Sequence, residues 1–260
     1  MSLSVLWPPS YRAPSGAAYS RPWPRRAAHT ALVSLPPSAA STARYITFDC
    51  YGTLINFEMG RAIREVFGPR LPAERAAAFI RLASAFRFDE VLGPWKPYQD
   101  VICDATRRAA HRFGLEYHQA DGLRLYEAIG TWGPYPEVPA ALQTLATRYP
   151  LVILSNAHDP QIALNVARLG TPFARVLTAE QARAYKPRLA AFLYLFEALG
   201  CRPDELIHVP SSIAYDQRPA ADLGIGTRIW LDRGHEPAQP GLGYHALSTL
   251  AALPPLLGLL

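Results

Sequence analysis

The sequence predicts an α/β protein, a doubly wound parallel sheet that carries an inserted helical cap. Three observations predict it. Short apolar runs without alternation recur along the chain, as in parallel strands buried on both faces. Helical patterns lie between those runs, which implies crossover units. One long stretch, from about Phe57 to Trp132, breaks the rhythm with helical periodicity and no strand.

The first run, Tyr45-Ile46-Thr47-Phe48, ends in Asp49 and the turn residues Gly52-Thr53, and reads as a buried strand opening onto a loop. The helical block follows, with Glu74–Phe88 and Gln99–Phe113 its most periodic parts. Inserted there, it sits over the carboxyl ends of the sheet, where open α/β sheets hold their ligands, and acts as a lid. Beyond Pro136-Glu137 comes a helix over Val138–Tyr149, then the strand Leu151-Val152-Ile153-Leu154, which ends in Ser155-Asn156. A helix over Gln161–Leu169 stops at Gly170, a weaker strand covers Ala174–Thr178, and a helix over Leu189–Leu199 stops at Gly200. Glycine suits a helix C-terminus. Two further strands are Leu206-Ile207-His208-Val209, running into Pro210-Ser211-Ser212, and Thr227–Leu231. The expected core is therefore 44–57 with 133–240, the cap 58–132, and 241–260 a segment whose packing stays open.

Composition narrows the class. The chain has 260 residues, half of them hydrophobic, enough for a sizeable core. No run of about 18 apolar residues appears, so no membrane partner is expected. Cys50, Cys103 and Cys201 are odd in number and lack a CxxC, which argues against disulfides or structural zinc and for a reducing, cytoplasmic setting. The net charge of +5 hints at nucleic acid, yet residues 1–48 hold five of the 26 basic residues and no acid, leaving 21 basic against 21 acidic in the body. The body is neutral, and nucleic acid is not an expected partner. Residues 1–43, with seven prolines and no periodicity, are expected not to fold by themselves. An organelle-targeting peptide, a flexible arm and an extension from an early start codon all fit that composition. The scarcity of lysine, Lys96 and Lys186 alone, suggests GC-rich coding DNA and favours the last.

Chemistry is concentrated at the strand ends. Asp49 and Thr53, Ser155 and Asn156, Lys186 in a loop, and Ser211, Ser212 and Asp216 all fall there. An Asp after a strand is usually a turn or cap residue. Several such ends together are how this fold class assembles catalytic groups from distant parts of the chain.

Phe48-Asp49-Cys50-Tyr51-Gly52-Thr53-Leu54, Leu154-Ser155-Asn156, Tyr185-Lys186-Pro187, and His208-Val209 through Asp216 come in that order. In this order they resemble the four motifs of the haloacid dehalogenase-like hydrolases, over about residues 44–233. The Asp-x-Tyr-Gly-Thr form resembles the type II 2-haloacid dehalogenases. The resemblance implies a Rossmann-like core and hydrolytic dehalogenation of short 2-haloacids, with no cofactor. Asp49 would displace halide from C2 as a covalent ester, which water then hydrolyses. Lys186 would lower the Asp49 pKa, Thr53 and Ser155 would fix its rotamer, and Asp216 would position or deprotonate the water. Arg81 on the first cap helix would bind the substrate carboxylate, with Arg87 the neighbouring alternative. Tyr51, Asn156 and Ser212 would contact substrate, Tyr51 with a packing role as its competing reading. Trp132 and Trp95 line the pocket or fill the core.

The alternative within the superfamily is a phosphatase or phosphonatase-like hydrolase that holds Mg²⁺ on Asp49 and Asp216. Its phosphatases use a second Asp as general acid, where this chain has Tyr51, whose ordinary pKa is about 10. Two positions depart from the dehalogenase pattern: Ile213 stands for an asparagine and Phe192 for a tyrosine. A catalytically silent binding protein is the third class, and a buried lysine facing a carboxylate argues against it. His158-Asp159 reads as a helix start and Cys50 as a small buried residue. The expected partner is a small-molecule substrate, and a homodimer is left open.

Overall fold

The computed structural model describes residues 42–259, so the expectations for residues 1–41 lie outside the described residues. Six strands form one parallel sheet: β1 (Tyr45–Phe48), β2 (Leu151–Ser155), β3 (Arg175–Thr178), β4 (Leu206–Val209), β5 (Thr227–Leu231) and β6 (His245–Leu247). Their order is β3-β2-β1-β4-β5-β6. Every residue of β2 and β4 is buried, which explains why those runs do not alternate. The strand order turns back on either side of β1, so the crevice at a topological switch point opens at the end of that strand. β6 lies in the 241–260 segment. It pairs with β5, Ile229 against His245, and so carries the core past residue 240.

The cap is helical, as the periodicity predicts. It comprises α1 (Met59–Phe67), α2 (Ala73–Leu92), α3 (Tyr98–Phe113) and α4 (Gln119–Ile129). Phe79 joins them, with its ring centroid 5.0 Å from Phe67 and 5.2 Å from Phe113. α4 crosses α3 at Gly122, where a Cβ would stand 2.9 Å from the Cys103 Cα, so the close crossing requires glycine. The core helices are α5 (Val138–Ala146), α6 (Asp159–Ala167), α7 (Ala179–Ala182), α8 (Leu189–Leu199), α9 (Arg218–Asp222) and α10 (Leu253–Leu256). The α2–α3 loop docks on the core beside Lys186. Trp95 Nε1 donates to Ala179 O at 3.2 Å, the Tyr185 hydroxyl donates to Lys96 O at 2.8 Å, and Arg188 donates to the carbonyls of Leu92 and Gly93. No helix among the described residues is long and apolar enough to cross a membrane.

Candidate active site

The sheet register brings the chemistry together. Phe48 lies beside Ile153 on one side and Val209 on the other, so Asp49, Ser155 and the 210–212 loop leave the sheet at one edge. After Asp49 the chain turns at Gly52, whose φ of +87° favours glycine. That turn returns Thr53 under the carboxylate: its hydroxyl donates to Asp49 Oδ2 at 2.7 Å, and its oxygen accepts the Ser211 N–H at 2.9 Å.

Lys186 spends all three of its protons here. Nζ donates to Asp49 Oδ1 at 2.8 Å, to Asp216 Oδ1 at 2.7 Å and to Leu154 O at 2.9 Å, with the residue 1% exposed. Asn156 holds the lysine's backbone at both ends, donating to Lys186 O at 2.9 Å and accepting its N–H at 2.7 Å. Asp216 stands on a wide π-type turn, Ile213–Gln217, capped by Ser212 Oγ accepting from Tyr215 N at 3.0 Å. Glu236, from the loop between β5 and β6, secures that turn: it accepts the Ser212 hydroxyl at 2.6 Å and the N–H groups of Ile213 and Ala214.

One ammonium thus serves two carboxylates. Burial alone would lower the Lys186 pKa, but the charges of Asp216 and Asp49 hold it above its usual value. Burial pushes Asp216 up, yet the Lys186 charge and the hydrogen bond from His208 bring it below the ordinary carboxylate range. Burial pushes Asp49 up as well. Lys186 pulls it back, the Asp216 charge opposes that pull, and the net direction is upward. Lys186 does lower the Asp49 pKa, as expected, but burial, helped by the Asp216 charge, outweighs it.

Above Asp49 lies a cavity of about 140 Å³, its wall including Phe57, Arg87, Val91, Tyr98 and Tyr215. Arg87 forms an ion pair with no carboxylate among the described residues. Its Nη1 lies 3.4 Å from the Tyr98 hydroxyl, its Nε has no hydrogen-bond partner among the described residues, and its guanidinium sits 4.6 Å from the Phe57 ring centroid. A half-buried cation without an acid is poorly compensated unless an anion joins it.

A family model for haloacid dehalogenase-like hydrolases matches residues 43–224. The chain belongs to that family. As a haloacid dehalogenase-like hydrolase it is 30% identical over 127 residues to (S)-2-haloacid dehalogenase 4A of Burkholderia cepacia, a match covering 47% of this chain and spanning about half, 54%, of that relative. A solved L-2-haloacid dehalogenase is 25% identical, with a TM-score of 0.69 and 83% of this chain and 99% of that chain covered. Two more distant structures share the fold. One is the Xanthobacter autotrophicus L-2-haloacid dehalogenase with chloropropionic acid covalently bound, 19% identical, TM-score 0.69, covering 83% of this chain and 98% of that one. The other is a magnesium-bound HAD-hydrolase of Bacillus subtilis, 16% identical, TM-score 0.72, covering 83% and 99%.

The hydrolase gathers Asp49, Thr53, Lys186 and Asp216 into one contact network, with Ser155, Asn156, Ser212 and Tyr51 around the cavity. Two expected details differ, at Arg81 and at Ser155. Arg81 is exposed and does not line the cavity; six residues along the same helix, Arg87 does. Ser155 Oγ is buried with no hydrogen-bond partner among the described residues, so it does not fix the Asp49 rotamer. Asn156 has its amide occupied by Lys186, and Tyr51 donates its hydroxyl to Asn165 Oδ1 at 2.8 Å while meeting Trp132 edge-on at 6.2 Å. Trp132 and Trp95 stay out of the cavity wall and pack in the core, one of their two expected readings. Glu236 and His235, both in that wall, escaped the sequence reading because they lie on an irregular loop. His158 does precede a helix, and Cys50 is buried.

Proposed function

We propose that the protein hydrolyses the carbon–halogen bond of short 2-haloacids, without a metal, giving a 2-hydroxy acid, halide and a proton. The observation that carries this is the pairing, around one cavity, of an anchored carboxylate at Asp49 with a half-buried guanidinium at Arg87 that has no acid partner among the described residues. A substrate bearing a carboxylate and an electrophilic C2 meets both. Arg87 binds the carboxylate through two donors, as a guanidinium is shaped to do. An Asp49 oxygen attacks C2 in line, the C–halogen bond breaks with its electron pair on the halide, and an ester remains. Halide is a weak base and leaves unprotonated. Water then adds to the ester Cγ while Asp216 takes one of its protons. The Cγ–O bond to the product breaks, the product oxygen takes up a proton, and Asp49 is restored. Lys186 stays charged throughout, balancing whichever carboxylate is ionised.

The Mg²⁺-dependent reading fits the residues less well. Lys186 already bridges the two carboxylates that would hold the ion, and among the described residues no group of three His, Cys, Asp or Glu side chains is placed for a metal. Tyr51, held by Asn165 and pushed by burial far above its usual pKa, is a poor general acid. The deciding experiment measures halide from both enantiomers of 2-chloropropionate beside phosphate from small phosphate esters with and without Mg²⁺. Halide release supports the proposal; Mg²⁺-dependent phosphate release without halide overturns it.

A further inference from the structure

Behind Asp216 runs a buried hydrogen-bond chain that neither step above uses. His208, on β4, is fully buried. Its Nδ1 lies 2.8 Å from Thr47 Oγ1 on β1, and its Nε2 lies 3.2 Å from Asp216 Oδ1. With a proton on Nε2 the ring donates to the carboxylate; without it, a lone pair would face an anion. The Thr47 hydroxyl holds Nδ1 in place and also lies 3.3 Å from the Ile207 carbonyl. Phe192, the position that departs from the family's tyrosine, packs edge-on against the same ring at 5.7 Å and 80°, fixing its plane.

The consequence falls on the two oxygens of Asp216. Oδ1 is held twice, by Lys186 at 2.7 Å and by His208 at 3.2 Å. Oδ2 is buried and has no partner among the described residues, although Asp216 lines the cavity. One oxygen is anchored and the other is free to accept a proton.

We propose that His208 is a positioning residue for the second half-reaction: it fixes the Asp216 rotamer so that Oδ2 receives the proton of the water that cleaves the Asp49 ester. This rests on the dehalogenase reading. His208 touches neither substrate nor water, and the first displacement does not need it. The ester step does, because a carboxylate that swings loses its alignment with the attacking water.

The test separates the two steps. Enzyme in excess over 2-chloropropionate is quenched at intervals; halide reports ester formation, 2-hydroxy acid reports ester hydrolysis, and intact mass reports the ester on the protein. In His208→Phe, which keeps a ring but no donor, halide should appear within about twofold of the wild-type rate. Hydroxy acid should form about ten- to a hundredfold more slowly, with the ester accumulating. His208→Gln, which keeps an N–H donor, should recover most of the lost rate. Should His208→Phe fail to fold, Thr47→Val removes the hydroxyl that holds the far side of the ring and should give the same split, smaller in size. Equal slowing of both steps, or no slowing in a folded variant, makes His208 a packing residue and overturns the proposal. Absence of halide from the wild type instead overturns the dehalogenase reading, and this one with it.

Discussion

Removing the charge of Arg87 should cost activity and not stability. On α2 the buried residues are Phe79, Ala83 and Val91, and Arg87 continues that stripe at four-residue spacing. Its guanidinium is offset only by the Phe57 ring, a contact worth about 0.5–2 kcal/mol, and by a long bond to the Tyr98 hydroxyl. Desolvating an unpaired cation costs several kcal/mol, so Arg87→Met should leave Tm unchanged or raised. Each kcal/mol gained is worth about 2–4 °C in a domain of this size. If the substrate carboxylate is the missing partner, Arg87→Lys loses one of two charge-assisted bonds, about 1.5–3 kcal/mol, or ten- to a hundredfold in kcat/KM. Arg87→Met leaves the carboxylate buried and unpaired, and should fall further. Arg81, exposed on the same helix, should change within about 0.5 kcal/mol when replaced by Met. Steady-state halide release and thermal melts on the four proteins decide it. A fall in Tm with kcat/KM unaltered in Arg87→Met, or a large effect at Arg81, refutes the reasoning.

Asp49→Asn should abolish halide release with the melt nearly unchanged, because Lys186 retains Asp216; residual turnover above about one per cent would exclude Asp49 as nucleophile. Activity should survive EDTA, and loss restored by Mg²⁺ would move the reaction to phosphoryl chemistry. Lys186→Met leaves two buried carboxylates facing each other and should cost about 3–5 kcal/mol in urea melts at pH 7, less in acid as they protonate; an unchanged midpoint would contradict the shared-ammonium account. If Asp49 attacks as proposed it must be ionised, and its pKa is raised from 3.8, so the acid limb of kcat/KM should lie above that value, and Asp216→Asn should move it down by removing a nearby negative charge. A wild-type limb at or below 3.8 would reject that. Asp216 works in the opposite sense on stability: its lowered pKa contributes above about pH 4, and the contribution is lost as pH falls through the depressed value.

Strands buried on both faces are legible because every residue is apolar, and β1, β4 and β5 sit where the sequence puts them. Polar groups that end those strands are legible for the same reason, since nothing else interrupts the apolar runs. β6 is three half-exposed or exposed residues at the sheet edge, too short for periodicity to register. The arginine was a matter of helix face. Six residues advance a helix by about 240°, so Arg81 and Arg87 cannot share a side, and the stripe of Phe79, Ala83 and Val91 already marked the buried one. Ser155 and Asn156 show a different limit. A motif names residue types at a strand end, but which polar atom meets which depends on the neighbouring loop, and Asn156 turned to the Lys186 backbone.

The cap enters the chain between two strands that lie side by side. Ile46 pairs with Leu151, and Asp49 and Lys186 stand 137 residues apart. Contacts so distant in sequence are slow to find. The thermodynamic burden is lighter than the kinetic one. Closing a loop grows only with the logarithm of its length, about 0.6 kcal/mol for each doubling. Between β1 and β2, therefore, the length and helix count of an insertion can vary at little cost while the strand-end carboxylates and lysine stay in register, and what the protein accepts as substrate can drift independently of how it reacts.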